Sequence, residues 1–254
     1  MRGFDTLWGS KINTSVYVNG LYAPANSLGE MLCNYSAPGL FASEEYPEFN
    51  PSKSGSATKI RLGNRFFAVT TRHQLSIQGR EYEEFCLVGT SNQSLMTSHT
   101  AFFELDENIG EIDLVFFEFT EVVSCGKVSP FGWYSLDAEW NSPRLEKPTL
   151  VVGIGYPSYR NVIDYTATEY GAAPNAIWGR EEKPSICGRL AFKPTDTLDF
   201  SPKGMSGGPV FGLKFEGDRP SVFFAGVLTE ASRSKVHFSS RTRILNVLKK
   251  LLQR

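Results

Sequence analysis

Three observations in the sequence predict an all-β protein in two comparable halves, closed by a C-terminal helix. Short runs rich in Val, Ile, Phe, Tyr and Thr recur between turn signals. Helical periodicity is scarce before residue 241, and one pattern-poor stretch divides the runs into two groups. Regularly spaced short strands of this kind mark a β-sandwich or β-barrel.

The first group comprises SVYVNG, TKIRLGNRFFAVTT, EEFCLVGT and DLVFFEFTEVV. Within the second of these, Gly63-Asn64 separates two β-rich halves and predicts a tight hairpin. The stretch from Asn19 to Gly55 carries Pro24, Pro38, Pro47 and Pro51, and is expected to be loops around one or two short strands. Trp133 to Pro148 lacks alternation and contains two prolines, which makes it the connection between the halves. The second group follows as PTLVVGIGYP, KPSICGRLAF, GPVFGLKF and SVFFAGVLTE. The end, RTRILNVLKKLLQR, sets Ile244, Val247, Leu248, Leu251 and Leu252 on one helical face with the basic residues outward. The expected division is 1–132, a connection at 133–148, 149–240 and a helix at 241–254.

Composition narrows the partners. Lys+Arg 26 against Asp+Glu 27 leaves a formal charge of -1 and no electrostatic case for nucleic acid or an anionic membrane. The N-terminus has no signal-peptide pattern, and no run approaches the ~18 apolar residues of a membrane span, so a cytoplasmic location is expected. Cys33, Cys86, Cys125 and Cys187 stand singly, which fits neither a zinc site nor a disulfide framework. They read as reduced, mostly buried side chains, and no metal or cofactor is expected.

One string carries chemistry: Gly204-Met205-Ser206-Gly207-Gly208-Pro209. A nucleophilic serine needs a tight loop on which its hydroxyl and nearby N–H groups converge, and glycines permit the backbone angles; an ordinary turn uses glycines as well. The hydroxyl also needs a base, usually a histidine oriented by a carboxylate. Of the three histidines, His73 ends the strand-like FFAVTTRH, whereas His99 and His237 have no such junction and read as surface or core residues. Asp113 opens DLVFFEF. A carboxylate at the mouth of an apolar strand needs a partner, and a histidine N–H suits it. Asp106 and Glu107 read as solvated loop charges.

At this point a family resemblance enters. GMSGGPVF, TTRHQL and EIDLVFFEF resemble the serine, histidine and aspartate motifs of trypsin-like (chymotrypsin-fold) serine peptidases. They occur in that family's order, 40 residues from His73 to Asp113 and 93 more to Ser206. FSPKGMSGGP resembles the HtrA-like, intracellular bacterial form of the serine loop, and VVGIGYPSY a strand and turn of the second barrel. The resemblance runs from about Ser54 to the C-terminal helix. It implies two six-stranded antiparallel β-barrels, the first carrying His73 and Asp113, the second Ser206.

It further implies a serine endopeptidase acting on a protein or peptide, with Ser206 as nucleophile, His73 as base, Asp113 as its orienting acid, and the N–H groups of Gly204 and Ser206 as the oxyanion hole. By the same likeness Phe200 and Ser201 shape the specificity pocket, and Thr229, Glu230 and Ala231 pair with an extended substrate. Asp199 is a candidate to turn inward, and Lys235 and His237 candidates for the far wall, where they would suit an acidic side chain; otherwise they are a solvated lysine and a surface histidine. Met205 stands where the secreted branch has the aspartate that pairs with a newly cut N-terminus, and Gln74 where that branch has a cysteine. Activation by N-terminal cleavage is therefore not expected; restraint is expected from a separate regulatory protein, from narrow specificity for a dedicated target protein, or from a loop that orders only when substrate arrives. Two alternatives stand beside this reading. One is a catalytically silent trypsin-like binding module. The other is a serine esterase built on an α/β-hydrolase elbow, with Asp218 and His237 following the serine; Pro209 and the 48 residues left count against it.

Overall fold

A computed structural model describes residues 15–41, 52–76, 82–88, 95–106, 110–126, 128–137, 148, 150–167, 169–184, 186, 188–216 and 219–253. The strands fall into two large sheets and one small hairpin, β12 (Val162–Asp164) with β13 (Glu169–Gly171).

The first sheet runs in the order β7 (Leu95–Thr97), β6 (Phe85–Val88), β3 (Ser36–Phe41), β4 (Ser52–Leu62), β5 (Arg65–Thr70), β9 (Gly110–Glu118), β8 (Thr100–Asp106). Its two ends, β7 and β8, are consecutive in the chain with only Ser98 and His99 between them, so the ring is completed by chain connection and not by a hydrogen-bonded ladder. Here the structure departs from a six-stranded closed barrel: this half is open at one seam. The β4–β5 hairpin turns at Gly63-Asn64, with Leu62 opposite Arg65 and Gly63 at φ 58°, as its sequence predicts. A two-residue strand, β10 (Tyr134–Ser135), lies parallel to β4.

The second sheet is a closed six-stranded barrel, β16 (Pro209–Glu216), β11 (Leu150–Gly155), β14 (Asn175–Glu182), β15 (Leu190–Pro194), β18 (Val236–Ser240), β17 (Arg219–Ala231), with β17 returning to β16. Outside it lies a hairpin from the start of the described chain, β1 (Ser15–Val18) and β2 (Leu21–Pro24). β1 pairs in parallel with β17, Tyr17 opposite Ser221, so these residues extend the second sheet and not the first.

Helix α1 (Leu28–Cys33), within the stretch expected to hold only strands and loops, is six residues long and buries Leu28 and Leu32. Helices α2 (Arg72–Ser76) and α3 (Thr120–Ser124) are single turns. The last helix, α4 (Arg241–Leu252), is capped by the Ser240 hydroxyl, which accepts from the Arg243 N–H. It buries Ile244, Val247, Leu248 and Leu251 as expected, but Leu245 joins them and Leu252 is exposed.

One core spans the two sheets. Ile60, Phe67, Val69 and Phe116 of the first pack with Val152, Ile154, Phe211 and Phe224 of the second and with α4. Between them Tyr134 lies edge-on to Tyr35, ring centres 5.2 Å apart, and 5.3 Å from Phe211. Aromatic pairs at these separations add about 0.5–1.5 kcal/mol each beyond area burial, so the halves are held at a defined angle. Among the cysteines, Cys86 is buried, Cys33 half-buried and Cys125 exposed, all three as free thiols; Cys187 lies outside the described residues. Among the described residues no helix is long and apolar enough to cross a membrane.

Candidate active site

His73 sits on α2, three residues after β5 ends at Thr70. Asp113 lies inside β9, which begins at Gly110, and so is not at the mouth of its strand. The Asp113 carboxylate takes two bonds from His73: the backbone N–H donates to Oδ1 at 2.9 Å, and ring Nδ1 lies 2.7 Å from Oδ2. With Nδ1–H donating to the carboxylate, Nε2 is left with its lone pair. The His73 side chain is 44 % exposed and that of Asp113 20 %, so the ring faces solvent while its acid is largely covered.

Both line a cleft of about 940 Å³ that also receives Ser206, Gly204, Gln74, Ser201 and Thr229. The geometry of the Gly204–Gly208 loop follows from its backbone bonds. The N–H groups of Met205, Gly207 and Gly208 donate to Pro202, Leu228 and Met205 carbonyls. Among the described residues those of Gly204 and Ser206 have no acceptor. The carbonyls point the other way. Gly204 O accepts from Ser56 Oγ at 2.7 Å, Ser206 O from Gln74 Nε2 at 2.8 Å and from the Ser56 N–H at 3.2 Å, and Gly207 O from Thr58 Oγ1 at 2.7 Å. Three side chains of the first barrel thus grip the loop from behind, and its two unspent N–H groups are those beside the serine.

Glycine is required here twice. Gly204 has φ 94°, and a Cβ there would stand 2.6 Å from the Ser158 hydroxyl; Gly207 has φ 86°, and a Cβ would run into the Ser56 carbonyl. Met205 is fully buried among Val151, Ile177, Phe192 and Val210, in the core of the second barrel.

The other candidates divide. Ser201, Thr229, Glu230 and Ala231 line the cleft, and the Thr229 hydroxyl is buried without a partner among the described residues. Phe200 is not among the cleft's lining; it is half-buried against the edge of the second barrel's core, its ring 6.1 Å from that of exposed Tyr159, and Asp199 is exposed. Lys235 and His237 do not form the far wall. The Lys235 ammonium lies 3.3 Å from Glu182 at the end of β14. His237 is a buried strand residue, not a surface one; desolvation, helped by Arg189 and Lys235 and opposed by Glu230 and Glu182, holds it below its usual range. Glu107 and Asp218 lie outside the described residues.

Sequence reasoning missed four residues of the site. Gln74 was noted only as an absent cysteine, yet its amide nitrogen holds Ser206 O while Thr70 Oγ1 donates to its Oε1 at 3.2 Å. Ser56 and Thr58 read as ordinary strand residues. Arg189 lines the cleft between two acids, 3.8 Å from Asp113 Oδ2 and 3.5 Å from Glu230 Oε2. Nothing local in KPSICGRLAF marks it. Among the described residues no three His, Cys, Asp or Glu side chains form a metal-like cluster.

No protein-family model and no curated protein sequence matches the chain. Solved structures do. A serine endoprotease from Yersinia pestis aligns with 90 % of this chain and 66 % of its own length, at 13 % identity and TM-score 0.52. A mutant of human heparin binding protein aligns with 88 % of this chain and 93 % of its own, at 12 % identity and TM-score 0.56. Identity this low speaks to architecture alone, and the architecture is the chymotrypsin fold with a C-terminal helix. That one neighbour is named for binding and the other for proteolysis means the fold does not decide between them.

Proposed function

We propose that the chain is a serine endopeptidase. The observation that carries this reading is the doubly bonded His73–Asp113 pair, Nδ1 to Oδ2 at 2.7 Å, in one cleft with Ser206. A histidine whose Nδ1 is committed to a carboxylate presents Nε2 as a base. In the proposed reaction Ser206 Oγ attacks a peptide carbonyl as Nε2 takes its proton, and the carbonyl oxygen becomes an oxyanion between the N–H groups of Gly204 and Ser206. The imidazolium returns the proton to the leaving amine, and water then repeats the sequence on the acyl-enzyme. Loss of one oxyanion donor typically lowers the rate about 10²- to 10³-fold.

Substrate pairing has a free edge to use. β17 pairs with β16 only as far as Val227, while Glu230 and Ala231 pair with β18 on its other side. The stretch Thr229–Ala231 therefore offers its cleft-side backbone to an extended peptide. Ser201, and not Phe200, lines the cleft, and Glu230 and Arg189 set charges of both signs beside the bound chain.

The test is cleavage of a mixed-sequence peptide library by wild type and Ser206→Ala. Wild type is expected to release new termini and the variant none; equal cleavage by both would remove the assignment. A replaced triad residue would favour the silent binding module, and the sequence keeps His73, Asp113 and Ser206. An esterase would need an α/β-hydrolase sheet, and the described strands form none.

A further inference from the structure

One charged side chain in the cleft is shared between two acids. Arg189, immediately before β15, lies with Nη2 3.8 Å from Asp113 Oδ2 and with Nη1 3.5 Å from Glu230 Oε2. Elsewhere in the chain a guanidinium closes on a single carboxylate, that of Arg65 on Glu118 at 2.8 and 2.6 Å. Arg189 is bonded tightly to neither of its acids. Asp113 is already engaged by the His73 N–H and ring. Glu230 is not so engaged: its side chain is 58 % exposed, and among the described residues its carboxylate takes no bond except that from Arg189. The strand sets the direction of this acid. Glu230 pairs with His237 of β18, whose neighbours Val236 and Phe238 lie in the core of the second barrel, so His237 and Glu230 face away from that core. Both Glu230 and Arg189 line the cleft.

We propose that the Glu230 side chain selects the substrate: it takes a lysine or arginine at the residue before the one whose carbonyl Ser206 attacks. The register follows from the backbone. The Gly207 N–H donates to Leu228 O and the Leu228 N–H to Gly208 O, so the serine loop is tied to β17 just before the free stretch Thr229–Ala231. A peptide that continues the line of β16 runs antiparallel to this stretch. It sets the attacked residue beside Thr229 and the preceding one opposite Glu230. Residues directly opposite in such a pair share a face, with Cβ atoms about 4.5–5.5 Å apart, and there unlike charges attract while like charges are unfavourable. Charge counting gives the sign. With His73 in its base form, Asp113 and Glu230 share the single guanidinium of Arg189, which leaves one negative charge on this wall. The other lysine or arginine lining the cleft, Lys203, stands on the serine loop beside Gly204. An acidic substrate residue would face Glu230 and become a third carboxylate around Arg189. A basic one meets Glu230 with its head group and lays its stem along the strand edge. Arg189 holds Glu230 in place and offsets part of its charge. The position of the cut rests on the peptidase reading; the affinity of the Glu230 edge for a basic peptide does not.

The probe is a mixed-sequence peptide library blocked at both ends, cut by wild type, Glu230→Gln and Arg189→Met, with the products sequenced by mass spectrometry. The readout is the kcat/KM ratio of peptides with Lys or Arg to peptides with Gln at the residue before the cleaved one. A ratio within one variant is unmoved by any general loss of rate or stability, including one transmitted through Asp113. Wild type is expected to favour the basic residue about 3- to 5-fold, the effect of one partly exposed charge pair. Glu230→Gln should bring the ratio to about 1, and Arg189→Met should raise it about twofold, since the charge that offsets Glu230 is gone. A wild-type ratio at or below 1, a ratio unchanged in Glu230→Gln, or a lower ratio in Arg189→Met overturns the proposal. The same library is passed over immobilised Ser206→Ala and Ser206→Ala/Glu230→Gln. Longer retention of the basic peptides on the first column only is expected, and equal retention on both overturns the proposal. If wild type cuts nothing, the peptidase reading falls while the two columns still decide this one.

Discussion

The two barrels bring unequal parts to the cleft. The second closes by hydrogen bonds all the way round, through β16 and β17, and carries the Gly204–Gly208 loop between its strands. The first passes from β7 to β8 through Ser98 and His99 and carries His73 and Asp113. His73 and Asp113 are bonded to each other within one barrel, and Ser206 lines the same cleft from the other. What aligns it is a set of polar side chains from the less completely closed half, Ser56, Thr58 and Gln74, each gripping a carbonyl of the loop. Buried hydrogen bonds of this kind contribute about 1 kcal/mol when made and leave a penalty of about 1–3 kcal/mol when one partner is removed. The seam, more than either barrel, sets the site.

The largest break in that comparison is Gly207→Ala. A Cβ at φ 86° meets the Ser56 carbonyl, so left-handed strain and overpacking act together and about 3 kcal/mol or more should be lost in denaturant unfolding. Gly63→Ala is the control. Its φ is 58° with nothing within 4 Å, and the expected loss is about 1 kcal/mol. Equal losses would mean that the seam contact is not tight.

Next comes Lys59 of β4, whose amine has no acceptor among the described residues. Lys59 titrates lower in the folded chain than in the unfolded one, so below about 8 burial of its charge opposes folding, and the opposition fades as pH rises toward the unfolded value near 10.4. Lys59→Met should therefore add up to about 3 kcal/mol at pH 7 and flatten the stability profile between pH ~8 and ~10.4. Melting curves across that range check it.

Thr58→Val is smaller. It leaves the Gly207 carbonyl without its side-chain donor in a buried place, for an expected loss of about 1–3 kcal/mol and a fall in turnover larger than any change in KM. An unchanged kcat would show that the loop holds its shape without the first barrel.

The smallest effect lies away from the seam. The bonds from Arg65 hold the Glu118 carboxyl below its usual range, so this pair stabilises above the ordinary glutamate range and loses that contribution as pH falls through the folded value. Partly exposed, it should contribute about 1 kcal/mol or less, and Arg65→Met should shift the Tm at pH 7 but not once Glu118 is protonated in both states.

The triad candidates were legible because each is written locally: a strand running into a histidine, an aspartate leading an apolar run, a serine between glycines; only the place of Asp113 within its strand was misread. The residues that align them were not. Ser56 and Gly204 are 148 positions apart, and a serine in a β-rich run carries no mark of which carbonyl it will meet. For the same reason the parallel pairing of β1 with β17, Tyr17 opposite Ser221, leaves no local trace, and six residues are too few for α1 to show a helical period. Phe200 was misplaced because a half-buried edge position and a pocket position both accept a phenylalanine. Lys235 was misplaced because it lies just before β18 and reaches Glu182 of β14, and His237 because β18 pairs it between Ala191 of β15 and Glu230 of β17.

The central claim is that a histidine–aspartate pair on one barrel activates a serine that the seam holds on the other. Its most direct test is a fluorophosphonate probe, with the modified residue located by mass spectrometry. Wild type should be labelled at Ser206, and Ser206→Ala and His73→Ala should not. Absence of label on the folded wild type, label at another residue, or undiminished label in His73→Ala would contradict the account.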